Sequence, residues 1–332
     1  MPRAIVIRTA ESVEGGPLNT AAVEQIDPAT LGGDPVLVEV HYSGINYKDG
    51  LALTGRPGIV RSTPLIGGAD LVGTVLESAD PRWRPGDEVI LNGTGMTETR
   101  HGGFSELARV PGDFLVRLPG GLSQARAAAL GTAGYTAALC VLRLQEAGVT
   151  TEAPVVVTGA TGGVGSIALP LLTASGHRVA AVTGRVAEHG DYLRSLGATE
   201  VLDRSEFTEH GRPLQKARFA GGIDTVGGDV LANLLAQTLY GGTIAACGLA
   251  GSSALPATVM PFILRNVTLA GVDSVQTPLP RRQAAWDLIA ATLDLDLLDS
   301  LTVTVGLDDA VAAAGRLMAG QSRGRIVVDV RA

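Results

Sequence analysis

The sequence has little cysteine: Cys140 and Cys247 are the only two in 332 residues. Two cysteines exclude a four-cysteine structural zinc site. One disulfide is formally open to them, but both lie in apolar surroundings, which favours two reduced core thiols. Positive charge is scarce as well. The formal net charge is −7 and no long basic run occurs, which argues against nucleic acid as a partner and against an electrostatic membrane anchor. Lysine is found only at Lys48 and Lys216. So rare a residue draws attention to Lys48, because the planar fork of arginine does not substitute for an ammonium everywhere. Long apolar runs are missing too. The longest, 127–142, is bounded by Arg126 and Arg143 and broken by Gly131, Thr132, Gly134 and Thr136. It falls short of the ~20 residues of a membrane span and reads as a buried helix. The start, Met1-Pro2-Arg3-Ala4-Ile5-Val6-Ile7-Arg8, reads as a strand, since its apolar run is too short for a secretory segment. The expectation is a cytoplasmic protein with no membrane partner. There is no internal repeat and no low-complexity tract.

What is present is a 45% apolar chain, long enough for two domains and a sizeable core. The first third is β-rich. Strands are expected at 4–8, 36–42, 71–77, 88–91, 104–110 and 115–117, separated by glycine- and proline-rich turns such as Arg84-Pro85-Gly86-Asp87. Many short strands at this spacing point to a barrel-like β-domain. Helices are expected at 125–131, with Ser123 as cap, and at 136–147. From there strands (155–158, 178–183, 200–202, 222–226, 243–247, 268–272) alternate with helical stretches, notably 190–196 and 230–240. Alternation of this kind implies a doubly wound parallel sheet. A helix at 281–293, a strand at 301–305, a helix at 308–318 and a strand at 325–330 close the chain, and the last strand is placed back in the first domain.

The most informative stretch is 154–165, Pro-Val-Val-Val-Thr-Gly-Ala-Thr-Gly-Gly-Val-Gly. An apolar run stops at a glycine-rich turn and a helical segment follows. Gly159, Gly162 and Gly165 fall at three-residue spacing. Glycine lets the backbone turn sharply and approach a pyrophosphate, and the following helix offers free N–H groups to the anion. With the flanking strand and helix in the required order, this reads as a dinucleotide site. After the second strand of such a fold an acid usually holds the NAD ribose. Here the strand end is Val182-Thr183-Gly184-Arg185. Thr183 offers a hydrogen bond, Gly184 gives room, and Arg185 suits a phosphate. NADPH is therefore the expected cofactor, although Glu188 stands close by.

Further segments carry a resemblance. They are Ile45-Asn46-Tyr47-Lys48-Asp49, Gly131-Thr132-Ala133-Gly134-Tyr135-Thr136-Ala137, Asp224-Thr225-Val226-Gly227, the stretch from Ala246 to Gly251, the Met-Pro-Phe-Ile-Leu-Arg-Asn block ending at Asn266, and Gly271-Val272-Asp273-Ser274-Val275. With the glycine motif they resemble the medium-chain dehydrogenase/reductase superfamily over nearly the whole chain. More narrowly, they resemble its zinc-free, quinone-oxidoreductase-like branch of acrylyl-CoA reductases. The resemblance implies an α/β fold with a GroES-like β-barrel domain (1–124 and 297–332) and a Rossmann domain (125–296). It implies NADPH as hydride donor, a homodimer, and reduction of the activated double bond of acryloyl-CoA to propanoyl-CoA.

Carried over by motif, Tyr47 corresponds to a cofactor-contacting tyrosine, and Gly159, Thr161, Gly162, Gly163 and Val164 to the pyrophosphate turn. Thr183, Gly184 and Arg185 correspond to the 2′-phosphate contacts, and Leu249, Ile263 and Ser274 to the nicotinamide side. A C-terminal cofactor contact falls near Arg323–Arg325, with Arg325 the candidate, in a stretch that departs from the family. The family's Pro-Gly-Ile-Asp is Gly67-Gly68-Ala69-Asp70 here, which loosens a turn and keeps Asp70.

Zinc-dependent relatives polarise an alcohol or carbonyl with a Cys/His site. The β-rich part of this chain has no cysteine and only His41 and His101, so no metal is expected. Without metal, hydride must go to the β-carbon of an already activated alkene. Donors must sit where charge develops on the carbonyl oxygen, and a proton must reach the α-carbon. Tyr47 and Asn46 are the candidate donors, and Asp49 is a candidate for fixing the loop or relaying protons. Asn46 and Asp49 have a second reading, as caps of a short helix beginning near Lys48. Tyr135 reads as core and His101 as a turn residue. For the phosphates of coenzyme A the candidates are Arg56, Arg61 and the Arg281-Arg282 pair, with solvated arginine as the default. Two other readings stay open: an NADPH:quinone or enone reductase, and a non-catalytic NADPH-binding sensor.

Overall fold

The computed structural model describes residues 1–10 and 18–332. They divide into two compact units. The first comprises Met1–Thr132, Ser274–Ala290 and Leu298–Ala332, and the second Ala133–Asp273 and Ala291–Leu297.

The first unit opens with β1 (Arg3–Ala10), β2 (Leu18–Gln25), β3 (Val36–Gly44), helix α1 (Tyr47–Leu53), β4 (Leu65–Ile66), β5 (Asp70–Ser78), β6 (Glu88–Asn92), β7 (Leu107–Val110) and β8 (Val116–Arg117). β1 lies between β2 and β4 in a three-stranded antiparallel sheet. β3 is the centre of a larger sheet and pairs antiparallel with β5 and with β7. It buries Val36, Val38 and Val40 and turns the residues between them outward, the period of two that a half-buried strand requires. Phe104 and Leu71 join these valines in one core. At Gly73 the approach of β5 to β3 is so close that a Cβ would stand 2.0 Å from the Glu39 carbonyl oxygen. Helix α2 (Gln124–Glu146) follows, with the Ser123 hydroxyl accepting from the Arg126 N–H at 3.2 Å.

The second unit alternates β9 (Val155–Val157), α3 (Gly163–Ala174), β10 (Val179–Thr183), α4 (Val186–Ser195), β11 (Ala198–Asp203), β12 (Phe219–Asp224), α5 (Gly228–Gln237), β13 (Thr238–Ala246), α6 (Met260–Arg265) and β14 (Thr268–Gly271). Its six strands run in the order β11-β10-β9-β12-β13-β14 and are parallel throughout. The chain winds outward from β9 in one direction, returns, and winds outward in the other. That reversal is the topological switch point at which open α/β sheets bind ligands.

The chain closes with α7 (Leu279–Thr292), α8 (Leu295–Ser300), β15 (Thr302–Gly306), α9 (Ala310–Met318) and β16 (Arg325–Asp329). β16 pairs parallel with β15 and antiparallel with β3, bringing Val328 opposite Ser43. The final strand thus returns to the first unit.

The helices expected at 125–131 and 136–147 both lie within α2, which breaks between them where Gly131 takes φ 48° and ψ −155°. By length and composition α2 would cross a membrane, but 83% of its apolar window is buried in the protein, so its apolarity serves a core. Residues 125–132 and 274–290 group with the first unit, where Arg282 of α7 donates to the Asn92 carbonyl of β6 at 2.8 Å.

Candidate functional site

In the second unit β9 runs into the glycine turn. The Thr158 hydroxyl donates to Asp224 Oδ1 at 2.7 Å and accepts from the Thr225 N–H at 3.0 Å. Asp224 Oδ2 accepts from the Gly227 N–H at 2.8 Å. These bonds lock the ends of two adjacent parallel strands. Burial pushes the Asp224 carboxyl above the usual carboxylate range, against the hydrogen bonds it receives. Gly159 has φ +58°, and a Cβ there would stand 2.3 Å from Thr225 Oγ1. A Cβ on Gly165 would stand 2.5 Å from the Gly159 carbonyl oxygen. The first of these glycines makes the turn and the last lets α3 pack against it, the division of labour a pyrophosphate turn requires. No side chain caps α3. Its first turn, Gly163 to Gly165, therefore presents backbone donors at the positive end of the helix dipole. Gly162 is exposed, and Thr161, Gly163 and Val164 are half-buried.

At the end of β10 the buried Thr183 hydroxyl accepts from the Arg185 N–H at 3.2 Å. Gly184 and Arg185 are exposed. A second arginine stands there: Arg204 Nη2 lies 3.0 Å from where a Cβ on Gly184 would be. Sequence reading missed it. No local signal marks it, since it comes beside Gly184 through the parallel pairing of β10 with β11, where Thr183 is opposite Asp203 and the residues after each strand end come side by side. Of the acids nearby, Glu188 Oε1 lies 3.4 Å from His189 Nε2 and Asp203 Oδ1 accepts from the Ser205 N–H at 2.8 Å.

In the first unit the Asn-Tyr-Lys-Asp block starts α1. The Asn46 N–H donates to Asp49 Oδ2 at 2.9 Å, closing a capping box. Asp49 Oδ1 accepts from the Ala69 N–H at 2.8 Å and from the Thr97 hydroxyl at 3.2 Å. The Asn46 amide donates to Asp70 Oδ2 at 2.7 Å and its oxygen accepts from Arg325 Nη2 at 3.2 Å. Asp70 also accepts from Asn92 Nδ2 at 2.8 Å and from the N–H and hydroxyl of Thr132. Arg325 Nε donates to the Ala129 carbonyl. Every member of this network except Thr132 is buried. Burial first, and then the neighbouring Asp70 charge, push the Asp49 carboxyl up to about 6.

This geometry revises several expectations. Asn46 and Asp49 take the capping reading, because their polar atoms are committed inside the protein and not offered as proton donors. Arg325 is 3% exposed and is held by a carbonyl and an amide oxygen. The Arg281-Arg282 pair is split, with Arg282 buried. Tyr47 is different: it begins α1 and is 51% exposed. Lys48 pairs with Glu98, and His101 Nδ1 accepts from the Ile66 N–H. Tyr135 is buried, and Arg56 and Arg61 are exposed. Leu249 and Ile263 are exposed apolar side chains of the second unit, and Ser274 is half-buried in the first. Among the described residues no three His, Cys, Asp or Glu side chains gather to hold a metal ion. Cys140 and Cys247 are both free thiols.

Residues 32–120 match the model of the alcohol dehydrogenase GroES-like domain, and residues 163–291 match that of the zinc-binding dehydrogenase. The chain belongs to the medium-chain dehydrogenase/reductase superfamily. It is 50% identical over 311 residues to the probable acrylyl-CoA reductase AcuI of Escherichia coli K12, covering 93% of this chain and 95% of that one. It is 46% identical over 309 residues to the putative quinone oxidoreductase YhfP of Bacillus subtilis 168, covering 92% and 93%. The crystal structure of the yhdH oxidoreductase of Salmonella enterica in complex with NADP superposes with a TM-score of 0.94 at 48% identity, covering 98% of this chain and 99% of that one.

The Asp49 carboxyl makes stability depend on pH. Its folded value of about 6 lies above the ordinary 3.8, so the folded state holds the proton more tightly. Its contribution is complete below 3.8 and is lost as pH rises through 6, a change on the order of 3 kcal/mol. Urea unfolding of the wild type and Asp49→Asn at several pH values should show the wild type losing ground to the variant over that interval. A constant gap between them would refute the assignment.

Proposed function

We propose that this chain is a zinc-independent, NADPH-dependent reductase that converts acryloyl-CoA to propanoyl-CoA. One observation carries the reading. A glycine cradle after β9 is followed, at the tip of β10, by a glycine with Arg185 next to it in sequence and Arg204 beside it across the strand pair. The cradle suits a dinucleotide and the arginines suit a 2′-phosphate. The substrate class is supported by the identity to the E. coli relative over 93% of this chain.

When bound, NADPH supplies the hydride. Gly159, Thr161, Gly162, Gly163 and Val164 hold the pyrophosphate. Thr183, Gly184 and Arg185, with Arg204, hold the 2′-phosphate. Leu249, Ile263 and Ser274 line the nicotinamide side. The second unit is thus the cofactor unit and the first the catalytic one. Tyr47, the exposed member of its block, donates its hydroxyl to the thioester carbonyl oxygen as negative charge develops there. A preorganised donor at that oxygen favours hydride addition at the β-carbon, and water supplies the proton that the α-carbon takes as the enolate returns to the thioester. The 46% identity to the putative quinone oxidoreductase supports a second reading, in which the same residues serve a quinone or enone. We place the protein in the cytoplasm, in keeping with its free thiols. We also infer a homodimer: β14 is an edge strand, and Val259 and Leu264 expose 65% and 55% of their surface nearby in sequence, features that partner chains commonly cover.

Three measurements test this. Steady-state kinetics should give a higher kcat/KM with acryloyl-CoA than with a small quinone; the reverse order would favour the second reading, and NADPH binding without turnover would refute both. Arg185→Ala and Arg204→Ala should each lower kcat/KM for NADPH by about 10- to 100-fold and leave the value for NADH nearly unchanged. Sedimentation should report twice the chain mass.

A further inference from the structure

Arg282 is among the largest fully buried side chains and is 1% exposed. Its guanidinium spreads over two stretches of backbone. Nη1 donates to the Asn92 carbonyl at 2.8 Å, at the end of β6. Nε donates to the Thr277 carbonyl at 2.8 Å, and Nη2 donates to those of Val275 at 2.8 Å and Ser274 at 3.4 Å. The guanidinium carbon lies 5.2 Å from the centroid of the Phe114 ring, a stacking contact that fixes the plane of the fork. The two stretches it joins touch. At Gly93, φ +71°, a Cβ would stand 3.1 Å from Val275 Cα and 3.2 Å from the Ser274 carbonyl oxygen.

The connection continues beyond Asn92. Its side-chain amide donates to Asp70 Oδ1 at 2.8 Å, and Asp70 Oδ2 accepts from the amide of Asn46 at 2.7 Å. Asn46 is the cap of α1, whose first residue is Tyr47. A continuous run of hydrogen bonds therefore leads from Arg282 to the segment 274–277 on one side and to the base of Tyr47 on the other.

We propose that Arg282 is a positioning residue for the reaction. Its planar fork sets the backbone that carries Ser274 and, through Asn92 and Asp70, the helix start that carries Tyr47. The inference rests on the reading above that these two residues serve the reaction. A lysine keeps the charge but is a single point donor that cannot reach carbonyls on both stretches with fixed geometry. Small displacements of reacting groups cost far more in rate than in stability.

The test uses Arg282→Lys and the milder Phe114→Leu, which keeps all the arginine hydrogen bonds and removes the stacked ring. Hydrogen exchange on the free protein should show faster exchange at 274–277 in Arg282→Lys and no change in β12 and β13. Calorimetry and the emission of bound NADPH report on the cofactor, and thermal unfolding reports on the fold. The expected result for Arg282→Lys is a 10- to 100-fold loss of kcat with altered bound-NADPH emission, in protein that still unfolds cooperatively, roughly the cost of a misplacement near 1 Å. Phe114→Leu should move both readouts in the same direction by a smaller factor, and it decides the matter should the lysine variant not fold. Unchanged kcat and emission, with only a lowered unfolding temperature, would overturn the proposal. Gly159→Ala separates the two ideas: it should abolish NADPH uptake without changing exchange at 274–277. Wild-type protein that takes up no NADPH would instead refute the reading on which this one rests.

Discussion

The Asp70 carboxylate is the point on which the working end of the first unit depends. It is fully buried, yet it receives hydrogen bonds from Asn46, Asn92 and Thr132. An ionised carboxylate is costly to bury unless each oxygen is satisfied, and removing a single donor leaves the charge stranded. Those donors come from the cap of α1, the end of β6 and the break in α2. Satisfying one charge therefore fixes three pieces of chain. The break in α2 belongs to the same constraint, since a Cβ on Gly131 would stand 2.5 Å from Asp70 Oδ2. Arg325 opposes the two negative charges of Asp49 and Asp70, and those charges in turn offset the burial that lowers its own affinity for a proton.

The second unit solves a similar problem with a similar part. Asp224 ends β12, is buried, and gathers Thr158 and the Gly227 N–H. In both units a buried aspartate at a strand end ties neighbouring loops by hydrogen bonds, and the residues we propose for recognition are exposed nearby. Tyr47 stands out from a cap whose other polar groups are spent internally. Arg185 and Arg204 stand out from strand tips held in register by parallel pairing. Backbone rigidity under an exposed side chain lowers the cost of ordering that side chain around a ligand.

Much of this was legible in the sequence. The alternation of strand and helix from residue 155 onward gives the parallel sheet, because a buried parallel strand needs a short apolar run and a crossover helix. The glycine spacing after β9 announces its turn. Elements such as β2 and the two-residue β4, which pair with β1, carry too weak a local pattern to be read. The charged residues were the hardest. Arg282, Arg325 and Asp49 look like surface or site residues in the sequence, since charged side chains are seldom fully buried, and nothing local tells that carbonyls and amides far along the chain await them.

Local chemistry by itself determined which stretches turn, extend or coil, and which turn could accept a diphosphate, because a missing Cβ and a following helix are properties of neighbouring residues. Only the tertiary structure decided which polar groups face outward. Asn46 and Tyr47 are adjacent, yet one is 8% exposed and the other 51%. The difference arises from partners at Asp70 and Arg325, and Arg204 likewise reaches Gly184 through the pairing of two strands. Hydrogen-bond satisfaction is a long-range condition, so the roles of these residues follow from the fold and not from their place in the chain.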